Sequence, residues 1–510
     1  MTTGPVYDVA IVGYGPAGAV AAALLGQAGL SVYACDRLPG VYEIPRAIAL
    51  DHEIMRVFQQ LGVVDQVLPH TEPFTPSEFY GVDGQLIRRM TMVEPPYPQG
   101  YTPSMVFTQP AVERVLRERV AQFDNVTVEL GVDMRRITQD ADGVTLQLST
   151  ADGTMKQVRA RYAIGCDGGS STVRTQLEMP LDDLAFDEPW LVVDVLVNER
   201  GLAKLPKTSV QYCEPERPCT LVIGPKNHRR WEISLKPGED PKQVAQSGET
   251  WKLLARWLTP EDGQLWRQAS YRFHALVAAD WRQGRVFLAG DAAHMQPPFL
   301  GQGMCQGVRD VTNLSWKLAS VLRGEVQGEA AQALLDSYGV ERKAHVRELT
   351  SRIKGVGAVI CERDPVKARA RDAKLLADCG GVVKDTPRQD ILPRLETGLL
   401  SATTHPARGS LFPQPKVQAA NGPVLLDTIA GNGWRLVQAA DIRAPGWPGL
   451  RTVTLADTQE LEGVTAAWFR RNECVAAVVR PDNYVYGVAH SAEGIAPLVR
   501  EAAAALGHAA

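Results

Sequence analysis

The chain has 510 residues, enough for two or three domains at roughly 100 to 200 residues each. Its net charge of −4 comes from interspersed acids and bases, so there is no electrostatic reason to expect nucleic acid or an anionic membrane as partner, and a small molecule is expected instead. The cysteines at 35, 166, 213, 219, 305, 361, 379 and 474 form no CxxC and no metal-ligand spacing, which predicts reduced, mostly buried thiols and no metal site.

The chain opens with YDVAIVGYGPAGAVAAALLGQAGLSVYACD at 7–36. Val9 to Val12 is a short apolar run that predicts a strand buried on both faces of a parallel sheet. Gly13, Gly15 and Gly18 follow as GxGxxG: a tight turn, a place where backbone can approach a pyrophosphate, and a close helix–strand contact. A helix from Pro16 and Ala17 to Gln27 would aim free N–H groups and its positive dipole end at that phosphate. Gly29 ends the helix, Leu30 to Cys35 supply a second strand, and Asp36, before Arg37, offers a carboxylate to a ribose hydroxyl. This order of elements predicts a dinucleotide-binding unit without choosing between FAD and NAD. Because the first strand starts within ten residues of Met1, a signal peptide has no room and a cytoplasmic location is expected.

After Asp36 comes a loop containing Arg46, which can return over the cofactor, and then a helix from His52 to Leu61 ended by Gly62. Asp51 and His52 stand at its start: a capping Asp51 and a solvated His52 are favoured over a pair doing acid–base work. Residues 73–106, rich in Pro, Tyr and Met, suggest an excursion over the nucleotide domain. A helix from Gln109 to Gln122 leads to a meander of strands at Val126–Glu129, Val144–Ser149 and Lys156–Ala160. Tyr162 to Arg174 is a further strand and glycine turn, with Asp167 and Gly168 at the strand end. Residues 186–236 alternate apolar and polar as antiparallel strands, a natural roof for a substrate pocket.

Arg285 to Ala289 predicts a buried strand ending in Gly290-Asp291-Ala292-Ala293-His294, where open α/β sheets bind ligands. Pro297 and Pro298 stiffen the next turn, and Gly301-Gln302-Gly303-Met304 opens a helix to Leu322 that brings a second N-terminus to the same place. Another helical stretch covers 327–354, residues 361–415 suit a linker, and a small α/β domain follows from 416.

GYGPAG near the N-terminus, CDGGSSTVR in the middle and GRVFLAGDAAHMQPPFLGQG later resemble, in that order, the single-component flavoprotein aromatic hydroxylases, the class A monooxygenases. The stretches PRAIALDHE, RDVTNLSWKLA, SLFPQPKV and VVRPDNYV extend the likeness over nearly the whole chain, toward the group acting on 3-(3-hydroxyphenyl)propionate-like phenolic acids. The resemblance implies an α/β fold with a Rossmann-type FAD-binding domain at 1–180 and 270–360, an inserted antiparallel-sheet substrate domain at 181–269 with parts of 73–106, a linker at 361–415, and a thioredoxin-like domain at 416–510 without CxxC. It implies FAD held by Gly13, Gly15, Gly18, Asp36, Arg46, Gln109, Asp167, Gly168, Gly290, Asp291 and the Pro298–Met304 turn, with NADH or NADPH and O₂ as co-substrates. The expected reaction is hydroxylation of a phenolic acid through a flavin C4a hydroperoxide, in aromatic catabolism; a larger phenolic or polyketide-like substrate and a non-hydroxylating flavin protein are the alternatives, and a homodimer is compatible with the family. Cys305, where Asn is usual, and Phe299, where the hydroxyphenylpropionate group has Trp, depart from the pattern and leave the exact substrate open. At the position where some phenol hydroxylases place an acid or histidine, this chain has Ile48. The candidates for a proton relay are therefore His274, ranked first, Tyr271, His52 and Asp51, with Arg230 and Arg217 as partners for a carboxylate or the nicotinamide phosphates.

Overall fold

A computed structural model describes residues 5–508. The strand Val6–Val12 pairs in parallel with Val32–Asp36 on one side and Met155–Gly165 on the other, and these continue to Val126–Leu130 and Val286–Leu288. Val9, Ala10 and Ile11 are fully buried, each large aliphatic side chain contributing about 1.5–3 kcal/mol. The helix Pro16–Gln27 has no polar face: Gly18 to Gly26 are buried, because it lies between the sheet and the helices Gln109–Val120 and Gly303–Leu322. The predicted strands Lys156–Ala160 and Tyr162 onward are one strand, Met155–Gly165, and the meander gains Val132–Gln139. In these strands charged and apolar residues alternate, and tertiary pairing overrides the breaks that the charges suggest.

Over this layer lies a nine-stranded sheet. Its longest strands are the pair Leu181–Val197 and Gly263–Ala278, antiparallel along most of their length, followed by His228–Ser234, Cys219–Ile223 and Ser209–Tyr212. Ser77–Tyr80 and Leu86–Thr91 extend it, so the 73–106 excursion contributes strands to the roof. The boundary expected at 269/270 falls inside the Gly263–Ala278 strand, which runs unbroken from the roof down to the nucleotide layer. The expected linker 361–415 is also more ordered than its composition suggested: it holds the helix Pro365–Asp378 and the strand Asp385–Pro387, which closes the far edge of the roof sheet. The helix expected at 327–354 spans Gly328–Ile360.

The thioredoxin-like C-terminal unit is a four-stranded sheet in the order Arg451–Thr454, Arg435–Gln438, Ala476–Val479, Val485–Ala489, flanked by the helices Val464–Arg471 and Ala492–Ala505. Buried charge ties this unit to the nucleotide layer: Arg480 pairs with Glu341 and Asp482, Lys317 with Glu341, and Asp427 with both Arg56 and Arg435. Among the described residues all eight cysteines are free, no cluster of metal-ligating side chains occurs, and no helix is long and apolar enough to cross a membrane.

Candidate active site

The glycine turn, the strand-end turn at 290–304 and the roof sheet enclose one cavity of about 440 Å³. At its floor the three glycines divide their work. A Cβ on Gly13, whose φ is +97°, would meet the Cys166 carbonyl oxygen at 2.3 Å, and one on Gly18 would lie 2.0 Å from the Gly13 carbonyl oxygen. Those two make the turn. Gly15 has nothing within 4 Å of a built Cβ because it faces the open cavity, with Pro16 and Ala17 beside it. A pyrophosphate can therefore approach backbone there, at the N-terminus of the first helix. Asp36 accepts from the Tyr14 N–H at 2.7 Å and the Leu38 N–H at 2.8 Å, one on each carboxylate oxygen, and each oxygen retains a lone pair for a hydroxyl. Arg37 is exposed and does not line the cavity.

Arg46 lines the cavity, its guanidinium 4.9 Å from the Tyr42 ring. Gln109, on the adjoining helix, spends its side-chain oxygen on the backbone N–H groups of Arg46 at 2.8 Å and Ala47 at 2.7 Å. It shapes the turn that presents Arg46. Asp167 acts similarly: its carboxylate accepts from the Ser171 hydroxyl at 2.5 Å and the Val173 N–H at 3.1 Å, while its neighbours Cys166 and Gly168 line the cavity. The expectation that the Asp167 carboxylate itself faces a ligand is corrected, because it is consumed in holding the loop.

On the opposite side Asp291 projects into the cavity, and the surrounding walls raise its carboxyl above the ordinary value while His294 and Arg46 oppose that rise. The turn carrying it is fixed from behind by Asp310, which accepts from the Gly290 N–H at 2.9 Å, from Arg342 at 2.9 Å, and bonds His294 Nε2 at 2.7 Å. Pro298, Gly301, Gly303 and Met304 line the cavity as expected. Gln302 does not: its side-chain oxygen accepts from Arg309 at 3.0 Å on the far side of the turn. The helix Gly303–Leu322 thus presents its N-terminus to the cavity, as the first helix does. Cys305 sits below this turn, fully buried with its thiol toward the Ala49 carbonyl, whereas Phe299 reaches the cavity and packs edge-on to Trp190 with ring centroids 5.7 Å apart.

Of the relay candidates, His274 and Tyr271 line the cavity toward its rim: Tyr271 is 40 % exposed, and His274 Nδ1 stands 3.8 Å from Asp187. Asp51 and His52 are elsewhere. Asp51 caps its helix and pairs with Arg309, and His52 is buried rather than solvated, pushed down to about 4 chiefly by that burial, so neither faces the main cavity. Arg230 is in the cavity wall but is not free to greet a carboxylate. It forms a two-pronged pair with Asp194 at 2.7 and 3.1 Å and donates to the carbonyls of Pro45 and Arg46. Arg217 is similarly committed to Glu239.

The polar face of the roof escaped the sequence reasoning. Ser209, Gln211, Thr220, Glu232 and Arg267 line the cavity. The signal was present in HRRWEIS at 228–234, where Arg230 and Glu232 alternate with Trp231 and Ile233 on what a simple strand pattern calls the solvent side. Burial held Glu232 up to about 7, against Arg230 and Arg267. The pairing with Arg230 and a hydrogen bond from His228 hold Asp194 down to about 2 despite its burial.

Residues 6–353 match the family described as FAD binding domain. The chain is 37% identical over 98% of its length to a probable NADH-specific resorcinol 4-hydroxylase of Rhodococcus jostii (strain RHA1), covering 95% of that protein. It is 33% identical over 94% of its length to the 3-(3-hydroxy-phenyl)propionate/3-hydroxycinnamic acid hydroxylase of Escherichia coli (strain K12), covering 92% of it. In fold it is similar over the full length of both chains to the flavin-dependent monooxygenase PieE, solved with FAD and substrate, with a TM-score of 0.82 at 21% identity. Two helix N-termini and an open glycine cradle facing one cavity fit FAD. The chain belongs to the class A flavoprotein aromatic hydroxylases, FAD-dependent monooxygenases.

Proposed function

We propose that this enzyme hydroxylates a small, single-ring phenol with NADH as reductant. The observation that carries the reading is the one cavity in which a glycine cradle for the nucleotide faces a roof of buried polar side chains. At about 440 Å³, shared with a flavin ring, it suits one aromatic ring better than a fused scaffold. The NADH preference is taken from the Rhodococcus relative. FAD would be held by backbone at Gly15, by Arg46, by Asp291 and by the helix N-terminus at Gly303, with Asp36 on the ribose. When bound, FAD accepts a hydride from the nicotinamide and activates O₂ for transfer of one oxygen atom to the ring.

The protein's part is to bind, orient and dry the site. The N–H groups at Gly303 and the positive end of the 20-residue helix stabilise negative charge beside them. Phe299, Trp190 and Phe273, whose rings pack within 5.7 to 6.5 Å of one another, wall off water on one side. Substrate-dependent NADH oxidation, with product formed per NADH consumed across a panel of phenols, tests the reading: uncoupled oxidation with every single-ring phenol would overturn it.

A second reading, a phenolic acid, is favoured by Arg388. This arginine lines the same cavity, donates to the Leu300 carbonyl at 2.6 Å and stacks 4.2 Å from the Phe74 ring, but pairs with no carboxylate among the described residues. Burial pushes it down to about 10. A substrate carboxylate would supply the missing partner. Arg388→Met should then raise KM about 10- to 100-fold for 3-hydroxyphenylpropionate and leave resorcinol unaffected, the worth of a charge-assisted hydrogen bond.

A further inference from the structure

Glu232 sits at the centre of the roof on the strand His228–Ser234, lines the cavity, and is 5 % exposed. Strand register places it directly opposite Thr220 on one neighbour and Val192 on the other. Thr220 in turn stands opposite Gln211, so Gln211, Thr220, Glu232 and Val192 form one row across four strands facing the cavity. The Thr220 hydroxyl donates to the Gln211 side-chain oxygen at 2.5 Å. That bond leaves the Gln211 amide N–H₂, on a residue that lines the cavity, without an acceptor among the described residues. The charged groups around Glu232 are Arg230 on its own strand, Asp194 on Leu181–Val197 and Arg267 on Gly263–Ala278; the titratable Cys219 on the next strand is buried and held protonated, hence neutral. Both arginines are already spent on Asp194 and on the backbone carbonyls at 45 and 46. Glu232 itself receives no hydrogen bond from any described side chain or backbone group.

A buried carboxyl without a donor is costly, and a fold keeps one where something else supplies the donor. The cavity-facing row offers an acceptor at Glu232 and, across Thr220, a donor at Gln211, which is the complement of a hydroxyl group. On the strength of the phenol hydroxylase function, we propose that Glu232 is a catalytic residue that accepts the proton of the substrate hydroxyl, with Gln211 as a second anchor on that oxygen. The O–H bond breaks, the proton goes to a Glu232 oxygen, and the electron pair stays on the phenol oxygen, raising electron density at the ortho and para carbons. Once the ring carbon has received one oxygen atom of O₂ it loses its hydrogen as a proton, which is taken up as the second oxygen atom leaves as water with the two electrons from NADH, and the ring regains aromaticity. Glu232 then returns its proton to the product oxygen.

The experiment uses the FAD-loaded enzyme with resorcinol and 3-hydroxyphenylpropionate as probes, comparing wild type, Glu232→Gln and Glu232→Asp. Wild-type kcat/KM should fall on the acid side of about pH 7, where the free carboxyl gains its proton. Glu232→Gln should lower kcat about 10²- to 10⁴-fold at pH 7 and abolish that acid limb, while the variant stays folded and its FAD content and affinity for NADH stay unchanged; Glu232→Asp should keep the limb and recover part of the rate. A Glu232→Gln enzyme within twofold of wild type, or with the same acid limb, overturns the proton-acceptor role and leaves the phenol function standing. A wild-type enzyme that turns over neither probe nor any other phenol overturns both.

Discussion

Asp194 and Glu232 stand on adjacent strands of the roof and lie at opposite ends of what a buried carboxyl can do. Asp194 has Arg230 on both oxygens and His228 beside it, so it stays charged down to about pH 2. Glu232 has no donor, so burial holds it up to about 7. Their effects on stability are opposite in sign. Asp194 is depressed in the folded state, so its contribution is present above its ordinary carboxylate range and is lost as pH falls toward 2. Asp194→Asn, which leaves Arg230 buried without its partner, should cost about 3–5 kcal/mol at pH 7, read by urea denaturation of the FAD-free and FAD-loaded protein. Glu232 is raised from an ordinary 4.5, so the folded state holds its proton longer than the unfolded chain and stability falls as pH rises from about 4.5 to about 7. Glu232→Gln should therefore gain on wild type across that window, by about 3 kcal/mol above pH 7. A difference independent of pH would show that the carboxyl is not held protonated.

At the scale of the element, the glycine turn separates folding from binding. Gly13 and Gly18 approach backbone that cannot move, at 2.3 and 2.0 Å from a built Cβ, whereas Gly15 opens onto the cavity. Gly18→Ala should destabilise the apoprotein by about 1–3 kcal/mol or prevent folding. Gly15→Ala should leave the apoprotein's Tm unchanged and weaken FAD binding at least about tenfold, since only the ligand occupies that space. Fluorescence titration with FAD beside thermal melts of the apoprotein distinguishes the two; a Gly15→Ala variant with full FAD affinity would place the pyrophosphate elsewhere. The same scale explains what the amino-acid pattern conveyed. GxGxxG, the strand before it and the helix after it are local, set by backbone sterics over thirty residues, and they stand where expected. Arg159 and Arg161 interrupt the apolar run between Lys156–Ala160 and Tyr162 onward, while in the fold the strand is paired on both sides and each arginine is matched to an acid, Arg159 to Asp140 and Arg161 to Asp8.

For the whole molecule, the C-terminal unit is fastened by charge as well as by apolar packing. Lys317, Glu341, Arg480 and Asp482 form a buried group bridging the helices Gly303–Leu322 and Gly328–Ile360 to the strand end after Val479. Within it Glu341 is held down to about 2 against its burial by Arg480 and Lys317. Arg480→Met should cost about 3–5 kcal/mol, because Glu341 and Asp482 stay behind as buried acids, and the loss should appear in the melting of the whole protein rather than of the C-terminal unit alone. A separate early transition with an unchanged flavin domain would contradict that coupling. Helix Gly303–Leu322 is common to this network and to the cavity, so one element carries both the site's dipole and the docking of the last unit.

The amino-acid sequence by itself determined the nucleotide-binding unit, the strand-end turn at Gly290 and Asp291, and the membership of the chain in its family, because each rests on short-range backbone constraints and motifs contiguous in the chain. Only the tertiary structure decided which polar side chains line the cavity. Gln211, Thr220, Glu232 and Arg388 come from three roof strands and from a stretch whose composition suits a linker. It likewise commits Asp51 to Arg309 and Arg230 to Asp194, partners that lie far away in the chain. Alternation along a strand tells that two faces exist; which of them is covered, and by what, is settled only when distant segments pack.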